Sequence, residues 1–250
     1  MSNQGNSELL SIAKNAVMKA GIFLSNRNQE LLEIELETRR DTKIRADRES
    51  ECIIIDYLEK ETDFSLLSEE KGHVEKNKPL IWIIDPLDGS LNYFRNLRPN
   101  CVSIGLWEDN KAILGAVYDF NNDELFTGIV GKGAWLNGEK IFASSIERKE
   151  NAVLCTGFPV NSDFGEDNLK LFIHNIQNYK KIRLFGSAAL SLAYVAAGRA
   201  DAYMENNIMI WDVAGGIPVA LGAGCSCVTE KGTDINTFRV TVSNGRIDIN

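Results

Sequence analysis

The chain has 250 residues, 44% of them hydrophobic, and a net charge of −8. That size fills one large domain or two fused halves, and the acidic balance argues against a nucleic-acid-binding face. No apolar run approaches the roughly eighteen residues of a membrane span, and Met1-Ser2-Asn3-Gln4-Gly5 lacks the basic and apolar regions of a signal peptide.

Cys52, Cys101, Cys155, Cys225 and Cys227 are odd in number, which predicts reduced thiols in a cytoplasmic protein. Cys225-Ser226-Cys227 has no second pair, and His73 and His174 are the only histidines, so a zinc site is disfavoured.

Apolar spacing predicts a helix from Ser7, as N-cap, to Leu24. A polar segment with Leu32, Ile34 and Leu36 alternating leads into a basic patch, Arg39-Arg40-Asp41 and Lys43-Ile44-Arg45. Asp47 to Glu59 reads as a helix with Cys52, Ile53, Ile55 and Leu58 inward, its N-terminus favoured by Asp47. Phe64 to Leu67 is a short strand entering Ser68-Glu69-Glu70. Lys76-Asn77-Lys78-Pro79 is a turn before the central strand, Leu80 to Ile84, which Pro86 should end. Strands at Val102–Trp107, Ala112–Phe120 and Glu124–Val130, with a hairpin at Asn137-Gly138, predict an antiparallel meander of four or five strands.

The second half alternates: strand Val153–Cys155, helix Asp167–Asn178, strand Lys181–Leu184, helix Ala188–Ala197 ended by Gly198. Strand Ala200–Met204 then delivers Glu205. An apolar helix runs Asp212–Gly222, and strands Cys227–Thr229 and Arg239–Val242 close the chain. Two packed halves are expected, 1–145 and 146–250, the first supplying most acids and the second Asp212 and pocket residues.

Three acidic clusters sit at the ends of core elements: Asp85 with Asp88, Glu69 with Glu70, and Asp212. On Asp85-Pro86-Leu87-Asp88-Gly89 alone, an Asx-type turn with solvated acids competes with a metal loop. If the clusters meet, each carboxylate pair at ~4 Å repels by roughly 4 kcal/mol at an effective dielectric near 20. Bound cations would relieve this, and all-oxygen ligands favour Mg²⁺. Gly89-Ser90 at a helix start offers backbone N–H groups to an anion, with the Ser90 hydroxyl beside them. Haloacid-dehalogenase-like phosphatases use an Asp-x-Asp-Gly-Thr run near the N-terminus. Here two residues separate the aspartates, the run begins at Asp85, and no downstream Asp-Asp pair follows a suitable strand.

These blocks resemble the inositol monophosphatase family of Mg²⁺-dependent, lithium-sensitive phosphatases. The likeness rests on Ser68-Glu69-Glu70, on the run from Trp82 through Asp85-Pro86-Leu87-Asp88-Gly89-Ser90 to Asn92-Tyr93, and on Trp211-Asp212-Val213-Ala214-Gly215-Gly216. It implies a mixed α/β fold: an αβαβα five-layer sandwich with an antiparallel N-terminal sheet and a smaller mixed C-terminal sheet. It implies two to three Mg²⁺ ions: one on Glu69, Asp85 and the Leu87 carbonyl, a second on Asp85, Asp88 and Asp212, a weaker third on Glu69 and water. The implied catalytic set is Asp47, Ser90 and Glu69, with Ser90 replacing the family's Thr in the pair that orients the attacking water. The implied substrate-binding set is Asp88, Gly89, Ser90, Gly186, Ser187, Ala188, Glu205 and Asp212. A metal-activated water would attack phosphorus in line, with no phosphoenzyme.

The expected substrate is a small phosphomonoester, myo-inositol monophosphate first, with fructose 1,6-bisphosphate or 3′-phosphoadenosine 5′-phosphate as alternatives. Leu91-Asn92-Tyr93 departs from the Lys-Glu-Phe of the nucleotide branch. Asp-Gly-Ser and the few residues after Val242 resemble the archaeal-type members that act on both inositol monophosphate and fructose bisphosphate. Arg39, Arg40, Lys43, Arg45, Arg95, Arg98 and Arg183 either meet a second phosphate or form a solvated face. Likeness to the family further implies a homodimer, while the acidic charge and the hydropathy argue against a nucleic-acid or membrane partner. The likeness also leaves a non-catalytic binding role open, because some bacterial members act on RNA polymerase assemblies as regulators.

Overall fold

Helix α1 (Asn3–Ser25) buries Ala13, Ala16, Val17, Ala20 and Leu24 at helical spacing. It begins a turn earlier than expected, so Ser7 lies inside it; no proline precedes Ser7 to stop the helix. This computed structural model describes residues 3–40, 42–76, 78–159, 162 and 164–248. Asp41 of the basic patch, Asn77 of the expected turn, and Met1 and Ser2 lie outside the described residues.

A two-stranded hairpin, β1 (Ile34–Glu37) and β2 (Thr42–Ile44), leads into α2 (Arg45–Glu61). Asp47, Ser50, Glu51, Ile54, Ile55 and Leu58 form its buried stripe. At roughly 100° per residue that stripe turns Cys52 outward. Cys52, expected in the core, is exposed, and Ile54 takes the core position.

The larger sheet contains β3 (Ser65–Ser68), β4 (Gly72–Val74), β5 (Leu80–Asp88), β6 (Cys101–Glu108), β7 (Lys111–Asp119), β8 (Glu124–Ile129), β9 (Gly133–Leu136) and β10 (Glu139–Ile141). Its order is β10-β9-β8-β7-β6-β5-β3-β4. Strands β6 to β10 are the expected five-strand meander, and one pair in the sheet, β3 with β5, is parallel. Pro86 does not end β5. The strand continues to Asp88 through a register shift, with Asp85 opposite Ser103 and Asp88 opposite Cys101. A bulge leaves its extra residue unpaired, which suits a proline without an N–H. The short helix α3 (Ser90–Phe94) follows.

The smaller sheet takes β11 (Val153–Thr156), then, beyond α4 (Glu166–Ile176), β12 (Lys181–Arg183). After α5 (Ala188–Ala196) come β13 (Ala202–Met209), α6 (Ile210–Ala214), α7 (Gly216–Gly222), β14 (Ser226–Lys231) and β15 (Thr237–Ser243). Its order is β12-β11-β13-β15-β14, with β11 parallel to β12 and β13 and the other pairs antiparallel. The layers are therefore α1 and α2, the large sheet, α5 to α7, the small sheet, and α4, none of whose residues is buried.

Two sequence expectations shift here. Glu205 lies within β13, not after it, beside a register irregularity between Glu205 and Ile208 where Asn207 has φ 56°. The single helix expected from Asp212 to Gly222 is two, broken at Gly215. Pro218 has no N–H for the carbonyl of Ala214 four residues earlier. The Trp107 indole donates to that carbonyl instead, at 3.0 Å.

Glycines hold this helix pair against the sheet. Gly105, Gly115 and Gly128 are direct neighbours across β6, β7 and β8. A Cβ at Gly105 would lie 2.1 Å from the Ala214 oxygen, and one at Gly115 2.1 Å from the Gly215 oxygen. Only a row without side chains admits α6 and α7 at this depth, and α6 carries Asp212.

Candidate active site

Alternation along β5 decides where its acids point. Trp82 and Ile84 belong to the core under α1 and α2, while Ile83 belongs to the core under α5 to α7. Asp85 shares the parity of Ile83, so it faces α6. Glu69 follows β3, whose Ser68 is paired with Ile84, and it emerges beside Asp85. One carboxylate oxygen from each of Glu69, Asp85 and Asp212 lies within 4.8 Å of the other two.

Burial raises the Asp85 carboxyl well above the usual range, and the charges of Asp88 and Glu69 raise it further. Asp212 is raised in the same way, by burial, then by Glu69 and Asp88. Packed so closely, these groups repel one another when ionised, and a bound cation would relieve that repulsion. The donors are all oxygen, buried or half-buried, and convergent, which fits a hard divalent cation. Among the described residues this is the only such group of three, and none of the cysteines takes part.

Asp88 also anchors the start of α5. Its Oδ2 accepts from the Ser187 hydroxyl at 2.7 Å and from the Ala189 amide at 2.7 Å; its Oδ1 accepts from the Ala188 amide at 3.3 Å. Burial pushes its carboxyl up to about 6, against the pull of those hydrogen bonds. The expected substrate wall Gly186-Ser187-Ala188 is thus the anchored start of α5, with Ser187 as its N-cap. Gly186 has φ 68°, and a Cβ there would sit 3.2 Å from Asn92 Nδ2.

Asp47 and Ser90 meet as expected. The Ser90 hydroxyl donates to Asp47 Oδ1 and lies 2.9 Å from the Leu87 carbonyl. Asp47 Oδ2 accepts from the Ile44 amide at 2.8 Å, which also closes the first turn of α2. Burial pushes the Asp47 carboxyl up to about 7. The Leu87 amide donates to Asp85 Oδ1 at 3.1 Å. Gly89 has φ 91°, and a Cβ there would approach the Pro99 carbonyl to 2.8 Å, so this turn needs glycine.

Glu205 is buried, its carboxyl pushed up to about 8 by burial and then by the charge of Asp88. It lies against Gly157, where a Cβ would come within 2.6 Å of Oε1. A cavity of about 120 Å³ beside it is walled by Phe158, Phe172 and Met204.

Sequence reading missed two groups that hold the site. Glu51, buried one turn after Asp47, accepts from the Ser68 hydroxyl and from the amides of Glu70 and Lys71, each at 3.0 Å. It fixes the turn that presents Glu69, and its i+4 spacing from Asp47 was the available signal. Asn92 donates to the carbonyls of Pro99 at 2.6 Å and Phe185 at 2.8 Å, tying α3 to the approach of α5. The basic patch is not one face. Lys43 turns to Glu69 and Glu70, Arg45 pairs with Glu33, and Arg39, Arg95, Arg98 and Arg183 are exposed.

Fold and site together define a five-layer α/β protein built around a convergent, partly buried carboxylate cluster. A model of the inositol monophosphatase family matches residues 5–249, and the chain belongs to that family. It is 37% identical over 229 residues to "Nus factor SuhB" of Xylella fastidiosa, covering 90% of this chain and 83% of that one. It is 34% identical over 244 residues to "Inositol-1-monophosphatase" of Synechocystis, covering 95% and 85%. The crystal structure of extragenic suppressor protein suhB from Bartonella henselae superposes with a TM-score of 0.85 at 34% identity, covering 95% and 94%. No helix among the described residues is long and apolar enough to cross a membrane.

Proposed function

We propose that this chain is a Mg²⁺-dependent phosphomonoesterase acting on a small phosphorylated polyol, with myo-inositol monophosphate the first candidate. One observation carries the reading: Glu69, Asp85 and Asp212 converge within 4.8 Å, next to the Asp47–Ser90 pair. Glu69, Asp85, the Leu87 carbonyl, Asp88 and Asp212 would hold the ions. When bound, the ions would supply positive charge that acidifies a water and stabilises a departing alkoxide.

The chain's own groups would do the rest. The Ser90 hydroxyl has one proton and two acceptors, Asp47 Oδ1 and the Leu87 carbonyl. A cation held by the Leu87 carbonyl would leave that proton to Asp47, and the Ser90 oxygen would then be free to accept from a water. Asp47 is poised to receive the proton. Backbone amides at Gly89 and Ser90 would hold the phosphate, and Glu205 would accept hydrogen bonds from substrate hydroxyls. The 1–145 and 146–250 halves remain our proposed division; the large sheet is complete by Ile141 and the small one begins at Val153. A cytoplasmic homodimer is the proposed state.

The test compares phosphate release from inositol 1-phosphate, fructose 1,6-bisphosphate and 3′-phosphoadenosine 5′-phosphate, each with Mg²⁺ and with chelator. Fastest release from inositol 1-phosphate, abolished by chelator, supports the reading. A second reading, a non-catalytic binding role, draws on the name "Nus factor SuhB" carried by the Xylella relative. No release from any of the three substrates, with Mg²⁺ demonstrably bound, would favour it.

A further inference from the structure

Strand β2 places a cation where the carboxylate cluster begins. Lys43 Nζ lies 2.6 Å from Glu70 Oε1 and 3.5 Å from Glu69 Oε1, and all three side chains are less than a quarter exposed. The next residue, Ile44, gives its amide to Asp47, so the backbone that carries Lys43 is pinned to the base side of the site. On the other side, Glu51 pins the turn that carries Glu69 and Glu70. The ammonium is therefore held over the cluster from both ends, and it does not hang from a free arm.

We infer that Lys43 is a built-in competitor for the cation held by Glu69: a positioning residue that neutralises the cluster and weakens divalent binding at that end. This rests on the metal-site reading above. The chemistry is a choice at one carboxylate. Glu69 can serve an ammonium or a divalent ion, and a unit charge roughly 6 Å from a dication in a water-like medium weakens binding by roughly tenfold. Glu70 gives the displaced ammonium a partner, so Lys43 can turn from Glu69 without losing its ion pair. Glu69 then holds its ion reversibly. Asp85 and Asp212 carry no such competitor in the ion pairs of the described residues.

The experiment is Mn²⁺ binding to the full-length chain, read by calorimetry and by loss of the free-ion EPR signal. Lys43→Met should tighten the weakest Mn²⁺ site roughly tenfold and leave tighter sites unmoved. Lys43→Arg, which keeps the charge, should stay within about twofold of the unmodified chain. Glu70→Gln should weaken that site, and should do so less in the Lys43→Met background, a coupling that a merely structural role would not produce. Unchanged affinity in Lys43→Met, or additive effects in the double variant, overturns the inference while leaving the metal site standing. Absence of saturable Mn²⁺ binding in the unmodified chain overturns the metal-site reading, and the inference with it.

Discussion

The Ser187 hydroxyl donates to Asp88 Oδ2 at 2.7 Å, across 99 residues of chain. With the Ala188 and Ala189 amides on the same carboxylate, Asp88 holds the start of α5 from the end of β5. Asp88 and Asp212 should therefore respond differently to neutralisation. Asp88→Asn keeps one oxygen but places an amide where two donors point, and should destabilise the metal-free chain by about 1–3 kcal/mol. Asp212→Asn relieves like-charge repulsion, and should leave that chain as stable or more so. Both should lose Mg²⁺-dependent turnover. Urea midpoints in chelator separate the two variants; equal destabilisation would refute the assignment of Asp88 to α5.

Ser90 and Asp47 form the proposed water-positioning pair. Ser90→Ala removes the hydroxyl that meets Asp47 and the Leu87 carbonyl. It should lower kcat by about 10²–10⁴-fold, the usual range for a lost acid–base contribution, with KM little changed. Ser90→Thr keeps the hydroxyl and restricts its rotamers, so activity should persist. Steady-state kinetics at saturating Mg²⁺ decides, and full activity in Ser90→Ala would remove Ser90 from the mechanism.

Several carboxyls titrate higher in the folded chain than in the unfolded one: Asp88 at about 6, Asp47 at about 7, Glu205 at about 8. The folded state binds those protons more tightly. Their contribution is full below the unfolded values near pH 4 and is lost as pH rises through the folded ones. Metal-free protein should thus lose stability from pH 5 to 8, by an amount on the order of a few kcal/mol. Mg²⁺ should restore most of it at pH 8 and little at pH 5. Thermal unfolding with chelator and with Mg²⁺ at both pH values tests this; a flat metal-free profile would contradict it.

Much of this architecture is legible in the sequence because periodicity and end signals are local. Glu69, Asp85 and Asp212 stand out as acids at the ends of core elements, Asp47 as the acid that opens a helix, and the meander follows from alternation and Asn137-Gly138. What is not legible depends on partners distant in sequence. The role of Asp88 at α5 needs Ser187, and the break at Gly215 needs Trp107 to take the Ala214 carbonyl. Cys52 was misplaced because either of two neighbouring faces of α2 offered apolar residues. Burial of Asp47, Ser50 and Glu51 chose between them, and buried polar residues are invisible to a hydrophobic pattern.

Glu51 supports Glu69 through the turn after β3, so its loss should reach the metal without touching it. Glu51→Ala leaves the amides of Glu70 and Lys71 and the Ser68 hydroxyl without their acceptor. A stability loss of about 1–3 kcal/mol is expected, with weaker Mn²⁺ binding as Glu69 loses its fixed position. Glu51→Gln retains an acceptor oxygen and should recover much of both. Mn²⁺ affinity unchanged in Glu51→Ala would mean that Glu69 is held by other contacts.

The glycine row offers the sharpest test of how the sheet places Asp212. At Gly105 an added Cβ would sit 2.1 Å from the backbone oxygen of Ala214, two residues after Asp212. Neither strand nor helix backbone can yield locally, so Gly105→Ala must lift α6 from the sheet. Overpacking of this kind destabilises by about 1–3 kcal/mol, and here it should also weaken Mn²⁺ binding, because Asp212 moves with α6. Gly131, at φ 75° with open space around it, is the control. Gly131→Ala costs about 1 kcal/mol of backbone strain and should leave Mn²⁺ affinity unchanged. Equal metal affinity in the two variants would show that the depth of α6 does not set the position of Asp212.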